Sequence, residues 1–516
     1  MSRINTNIAS VVAQSNLNRS SKELNLRLER LSTGLRINRG RDDPAGLIIS
    51  ERIRSDVQGV DQGIKNAERA SSVISTTESS LAEINDLLNS IRGLTIEAAN
   101  TGANSAAERA ANQLQIDSAI ESITRISNTT SFGGLKLLNG SLDYTLSGLS
   151  TGQITTARIN NASFVNQTSL QVDVDVVASA QTAALFYNGS TTPTGVLLSA
   201  MTLEIAGPDG VQVITLASGR PLAQVVQAVN NLTALTGVEA SLINGSANSG
   251  MVFQSAEYGS DAFVSVRRIG GPTSGDSFDV YKFANNDPVV NTPFGWAALI
   301  TANTLVTGER DNGQNVSALV NGNLANGKGL RISVNSPSLG IELLLDESFA
   351  IDPSSSASTF YVTGGGALFQ LGPNVNAQQQ AQIGLPSVAA SRLGATLVGG
   401  AIQYLSSLKT GQGNSIEENV TVSDFTTAEA VLASAIDEIT MLRGRLGAFE
   451  RNVLSTNVRS LQAQFENLTA SGSQIRDADF AAETSALTRA QILSSAGTST
   501  LTLANQQSQQ VLQLLG

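Results

Sequence analysis

Leu454-Ser-Thr-Asn-Val458-Arg-Ser-Leu461-Gln-Ala-Gln-Phe465-Glu-Asn-Leu468 carries apolar residues at 4,3,4,3 spacing, the seam of a helix packed lengthwise on another. Upstream, Leu432, Ile436, Ile439, Leu442 and Leu446 extend the same stripe. Its partner is sought at the far end of the chain, where Leu81, Ile84, Leu88 and Ile91 repeat at helical spacing. Asp43-Pro44 opens that run with an acidic cap and a proline at the first helical position, where a missing N–H is harmless. Nothing breaks it before Asn100-Thr-Gly, so a helix over 44–99 is expected, about 80 Å long at 1.5 Å per residue. Ser105-Ala-Ala-Glu108 then reads as a capping box opening a third helix with Ile116, Ile120 and Ile123 on one face.

Beyond these lie two outer stripes. One holds Ile4, Ile8, Val11, Leu24, Leu28, Leu31 and Leu35; the other holds Leu487, Leu493, Leu501, Val511 and Leu515. A two-helix hairpin cannot bury both stripes, and isolated helices are marginal in water because packing supplies most of their stability. The outer helices are therefore expected to be largely disordered in the lone chain and ordered by neighbouring copies.

Between about Ser141 and Ser415 the period changes to two, as in Leu170-Gln-Val-Asp-Val-Asp-Val and Leu330-Arg-Ile-Ser-Val. Met201 to Phe253 reads as a β-β-α-β unit turning at Pro208-Asp-Gly. The whole is an α+β multidomain chain: a long helical coiled-coil or bundle rod built from both termini, with an inserted β-rich variable region. The expected division is 1–42 and 472–516 for terminal helices, 43–140 and 420–471 for the rod. Residues 141–419 form the variable region, in modules of about 165–300 and 301–400.

The 516 residues contain no Cys and no His, which removes thiol chemistry, the commonest general base and the commonest zinc ligand. A net charge of −11 argues against a phosphate-backbone partner. No cleavable signal pattern opens the chain, and no run is long and apolar enough to span a membrane. No enzyme, cofactor or metal is expected. Asp42-Asp43 reads as a helix cap rather than a carboxylate pair, and Tyr187, Tyr258, Tyr281 and Trp296 read as core rather than as a sugar platform. Arg27, Arg30, Arg36, Arg39 and Arg41 are weighed as a solvated face, or as partners across a subunit boundary for Asp477, Asp479 and Glu483. In the second case Arg36→Glu should damage assembly and Asp477→Arg partly restore it.

The start Met1-Ser-Arg-Ile-Asn-Thr-Asn-Ile-Ala-Ser and the stretch Leu31-Ser-Thr-Gly-Leu-Arg-Ile-Asn-Arg-Gly-Arg-Asp-Asp-Pro-Ala-Gly46 resemble the opening of bacterial flagellins. Leu446-Gly-Ala-Phe-Glu-Arg451, Thr488-Arg-Ala-Gln-Ile-Leu493 and Val511-Leu-Gln-Leu-Leu515 resemble their C-terminal motifs. The resemblance covers about 1–140 and 420–516. It implies a filament subunit for motility, a homopolymer of many copies in the extracellular flagellum, exported by a type III route without a cleaved signal peptide. It also implies an export chaperone on the C-terminal helix, a filament cap and hook-associated proteins as partners, and neither nucleic acid nor membrane. The alternatives are a hook–filament junction protein of the same lineage, or a filament-displayed adhesin or glycan binder. Flagellins sensed by a Toll-like receptor carry a Gln-Arg-Val-Arg-Glu-Leu-Ala-Val-type surface. The corresponding stretch here is Asn89, Ser90, Ile91, Arg92, Gly93, Leu94, Thr95 and Ile96, which keeps Arg92 and Leu94 and loses the first Arg and the Glu. Weak or absent recognition is expected.

Overall fold

The computed structural model describes residues 6–164, 167–188, 195–197, 199–271, 278–284, 296–301, 304–336, 338–398, 401–422 and 425–515. Its longer helices are α1 (Ile8–Thr33), α2 (Pro44–Ala99), α3 (Ala106–Thr129), α4 (Leu222–Asn230), α5 (Thr426–Phe449), α6 (Ser455–Arg476) and α7 (Phe480–Leu515). The capping box forms as read: Ser105 accepts from the Glu108 N–H, and the Glu108 carboxylate accepts from the Ser105 N–H at 2.7 Å. At the head of α2, Asp43 Oδ1 accepts from the Gly46 N–H at 2.9 Å, so Asp43 of the acidic pair caps the helix. Asp42 folds back to accept the N–H groups of Asn38 and Arg39, bonds that hold its carboxyl below the ordinary carboxylate range.

Two compact units emerge: residues 1–71, 370–380 and 449–516 in one, 72–369 and 381–448 in the other. The first unit takes in the opening of α2, and residue 471 lies inside α6. A continuous helix shows no turn signal where its packing partners change, so patterning cannot mark that boundary.

In the first unit, Leu454 and Leu461 bury the seam while Val458, Phe465 and Leu468 are half-buried. The link from α5 to α6 holds a π-helical segment, Glu450–Leu454. Such a bulge carries an extra residue within the helix and often marks a functional position. The Ser71 hydroxyl donates to Glu450 beside it.

In the second unit, Leu81, Ile84, Leu88 and Ile91 of α2, Ile116, Ile120 and Ile123 of α3, and Leu432, Ile439, Leu442 and Leu446 of α5 are buried. Ala435 is buried where Ile436 was expected, leaving Ile436 half-buried.

Among the described residues the β-rich region builds two large cores and a smaller one around Phe186, Ile243, Val252 and Leu305. In one, strands Asn323–Leu324, Ser317–Val320, Leu170–Ala178, Ser358–Gly365 and Tyr144–Ser147 form a sheet in that order. A second sheet is Asn326–Lys328, Arg331–Asn335, Leu339–Leu345 and Ile154–Ala162, and Val172, Val174, Ile341, Leu343 and Phe360 share the core. The other large core is gathered from 183–280 around Leu203, Phe253 and Val264, with α4 among its elements. Met201 to Phe253 contains the expected β-β-α-β order, though its strands belong to two sheets. The expected module cut near residue 300 is corrected: Ser317–Val320 pairs antiparallel with Leu170–Ala178, so one core takes strands from both sides of it. Pairing across such a separation leaves no trace in a local pattern.

Candidate functional site: the paired terminal helices

Helices α1 and α7 form an antiparallel pair. Asn7 caps α1 by accepting from the Ser10 N–H, and its amide donates to the Ala504 carbonyl at 2.9 Å. Next to it the Ser10 hydroxyl lies 2.8 Å from Asn505 Oδ1. Along the seam Ala13, Ala490 and Ala504 are buried. A Cβ on Gly497 would stand 3.2 Å from Leu17 Cδ1, so this glycine admits close approach. Ala490, Gly497 and Ala504 recur every seven residues, a repeat of small side chains that a search for large apolar residues passes over.

Further along, Glu483 is clamped by two guanidiniums. Arg27 reaches its oxygens at 2.9 and 3.0 Å, and Arg30 reaches Oε1 at 3.1 Å. The Glu483 side chain is only 9% exposed. Burial pushes its carboxyl up, but hydrogen bonds and charge from Arg27 and Arg30 outweigh this and leave it below the ordinary range. Backbone bonds tie the far end: Arg36 N–H to Arg476 O at 2.7 Å, and Ala478 N–H to Gly34 O at 2.9 Å. Gly34 closes α1 at φ 72, the left-handed conformation that suits glycine. Asp479 Oδ1 accepts the Ala481 and Ala482 N–H groups and caps α7.

The basic cluster therefore finds partners within its own chain. Besides the Glu483 clamp, Arg39 pairs with Glu29 at 2.9 Å. Arg41 lies 3.8 Å from Asp42, and Arg36 lies 4.0 Å from Asp43 and donates to the Ile475 carbonyl. Within the chain, Arg36 and Asp477 meet through backbone neighbours: Leu35 bridges Asp477, and the Arg36 N–H donates to the Arg476 carbonyl.

The large apolar residues point elsewhere. Ile8 and Val11 are 59% exposed, and Val12, Leu28, Phe480, Ile492, Leu493 and Leu503 are exposed too. Leu24, Leu31, Leu35, Leu487 and Leu501 are half-buried. Ile4 lies outside the described residues, as do the side chains of Val511 and Leu515. Small residues thus line the closest approach of the pair, while Ile8, Val11, Val12, Leu28, Phe480, Ile492, Leu493 and Leu503 face outward.

In the second unit, Asn89, Ser90, Arg92, Gly93 and Ile96 are exposed, Leu94 is half-buried and Ile91 is fully buried. Ile91 packs the bundle, as its place on the Leu81–Ile84–Leu88–Ile91 stripe implies, so it is not available to the receptor-type patch. Arg92 pairs with Glu429 at 3.0 Å, and a Cβ on Gly93 would meet nothing within 4 Å. A cavity of 330 Å³ in this unit is lined by Asp143, Arg158, Glu342, Glu438 and Arg445, among others. Arg158 holds Glu438 at 2.5 Å, and Arg445 donates to Asn160. Burial pushes Glu438 and Asp143 up and Arg445 down. These charges are structural partners of one another.

Among the described residues, no acidic group could hold a metal ion and no helix is long and apolar enough to cross a membrane. The aromatic residues pack as core: Tyr187 stacks on Phe278, Tyr281 meets Trp296 edge-on, and the Tyr258 hydroxyl donates to Glu347.

The family description "bacterial flagellin N-terminal helical region" matches residues 4–143, and "bacterial flagellin C-terminal helical region" matches residues 430–515. The chain is 30% identical over 535 residues to the flagellin of Salmonella choleraesuis, with 99% of both chains covered. It is also 30% identical over 518 residues to the B-type flagellin of Pseudomonas aeruginosa, again covering 99% of each. Among solved structures, the flagellar hook associated protein-3 of Legionella pneumophila aligns over 82% of this chain and 98% of that one. Its identity is 10% and its TM-score 0.30, a likeness too slight to support the junction-protein alternative.

Proposed function

The chain belongs to the bacterial flagellin family, and from that premise we propose that the paired terminal helices are its polymerising surface. As a flagellin it is a structural subunit of the extracellular flagellar filament, polymerising with copies of itself for motility. One observation carries the finer reading: the α1–α7 seam consumes alanines and a glycine, leaving Ile8, Val11, Val12, Leu28, Ile492, Leu493 and Leu503 outward. Full burial of each such side chain favours association by about 1.5–3 kcal/mol. That gain offsets the entropy of fixing the helices against neighbouring copies; in the single chain α1 and α7 are already helical and paired, contrary to the disorder expected from the sequence. Residues 1–42 and 472–516 are assigned to the inner tube, 43–140 and 420–471 to the rod around it, and 141–419 to the filament exterior. Deleting 1–35 or 480–516 should leave a soluble rod that forms no filaments. Normal filaments from either truncation would refute the assignment.

The same outward residues of α7 suit an export chaperone that covers them before passage, and the filament cap and hook-associated proteins are the remaining partners. Innate-receptor recognition through residues 89–96 is weak or absent. Ile91 is buried, Arg92 is engaged by Glu429, and Gly93 weakens its helix by about 1 kcal/mol. Activation of receptor-bearing cells by nanomolar pure monomer would overturn this.

A further inference from the structure

Glu438, Met441, Leu442 and Arg445 stand at positions i, i+3, i+4 and i+7 of α5, the spacing that stacks side chains on one face. With Asp143, Arg158 and Glu342 they line the 330 Å³ cavity of the second unit. Ile159, Val388, Leu393 and Leu442 give it a buried aliphatic wall, and Met441, 49% exposed, carries that wall to the surface.

The charges around this cavity are of two kinds. Arg158 meets Glu438 at 2.5 Å, and Glu438 also accepts from the Gly394 N–H at 3.2 Å. Glu342 lies 3.6 Å from Arg331, which donates to the Ala395 carbonyl at 3.2 Å. Those two pairs cancel. Asp143 and Arg445 are left, one of each sign and both half-buried. Among the described residues neither forms an ion pair, although each is near enough to feel the other's charge. Asp143 accepts from the Tyr144 N–H at 2.8 Å, and Arg445 donates to the neutral Asn160 side chain. Arg392, which also acts on Asp143, is exposed. Burial pushes the Asp143 carboxyl up and the Arg445 guanidinium down, so a contact of opposite sign would relieve each.

We infer that the cavity binds a free α-amino acid with an apolar side chain, its carboxylate on Arg445 and its ammonium on Asp143. A lone anion would be repelled by Asp143 and a lone cation by Arg445, whereas a zwitterion satisfies both. A guanidinium matches a carboxylate through a planar fork of two hydrogen bonds. The cavity is at the small end for ligand sites, which suits so small a molecule, and the aliphatic wall selects its side chain. The inference does not depend on polymerisation.

Equilibrium dialysis of labelled leucine against the depolymerised full-length chain tests it. One leucine should bind per chain, saturably. On the same unsubstituted chain, leucinamide lacks the carboxylate and 4-methylpentanoate lacks the ammonium. Each should bind at least about tenfold more weakly, the loss of one charge-assisted contact. Glycine, without the apolar side chain, should be weaker by a similar factor of at least about ten. Absence of saturable leucine binding would overturn the inference, and so would any of the three compounds binding as tightly as leucine. In parallel, Arg445→Gln and Asp143→Asn should each weaken leucine binding at least about tenfold. Parental affinity in either variant would refute the assigned contact. The comparison of compounds needs no variant, so it stands even where a substitution disturbs the fold.

Discussion

Replacing Glu483 by Gln keeps the shape of the side chain and removes the charge that two arginines share. The carboxylate is 9% exposed and meets Arg27 and Arg30 through contacts of 2.9, 3.0 and 3.1 Å. Hydrogen bonds to charged groups contribute about 1.5–3 kcal/mol, and leaving a buried charge unpaired costs more. Arg27 and Arg30 keep some water, at 23% and 17% exposure, and this screens the loss. A net destabilisation of about 2 kcal/mol for the α1–α7 pair follows, roughly a thirtyfold shift toward the opened pair. Thermal depolymerisation of sheared filaments reads it, with Glu483→Gln filaments dissociating at lower temperature near neutral pH. The sign with pH is fixed. The folded carboxyl lies below its ordinary value, so the stabilisation is present above the unfolded value and disappears as pH falls through the folded one. The two filaments should therefore converge in acid. Equal dissociation temperatures at neutral pH, or a difference that persists in acid, would refute the clamp.

Gly497→Leu should destabilise filaments by about 1–3 kcal/mol, because even a Cβ there stands 3.2 Å from Leu17; the midpoint of filament dissociation in urea measures it. Glu438→Gln should lower the melting temperature of the monomer by leaving Arg158 without its partner. The pair Arg158→Met with Glu438→Leu should recover most of that loss, because the Glu438 carboxylate is buried at 8% exposure while Arg158 keeps 27%. Ser90→Arg with Gly93→Glu should stiffen α2 and raise receptor activation above that of the parent in a reporter-cell assay. Unchanged activation would show that residues 89–96 are not the limiting surface.

Much was legible in the residues alone. Helical spacing located α2, α3, α5, α6 and α7, and the Asp43 and Ser105 caps fixed two of their starts to the residue. Those features are local: a cap or a stripe needs only neighbours within a few positions. Zero histidine and zero cysteine narrowed the chemistry before any fold was known. Tertiary structure alone decided the rest. The Ala490–Gly497–Ala504 seam was hidden because small residues signal nothing until a second helix presses on them. Glu483 could have met arginines of a neighbour or of its own chain, and only the antiparallel pairing of α1 with α7 chose Arg27 and Arg30. Strand partners such as Ser317–Val320 with Leu170–Ala178, and the seat of Leu371 on Gly63, join residues far apart in sequence. A chain encodes locally which face is apolar; which surface covers that face depends on where distant segments meet.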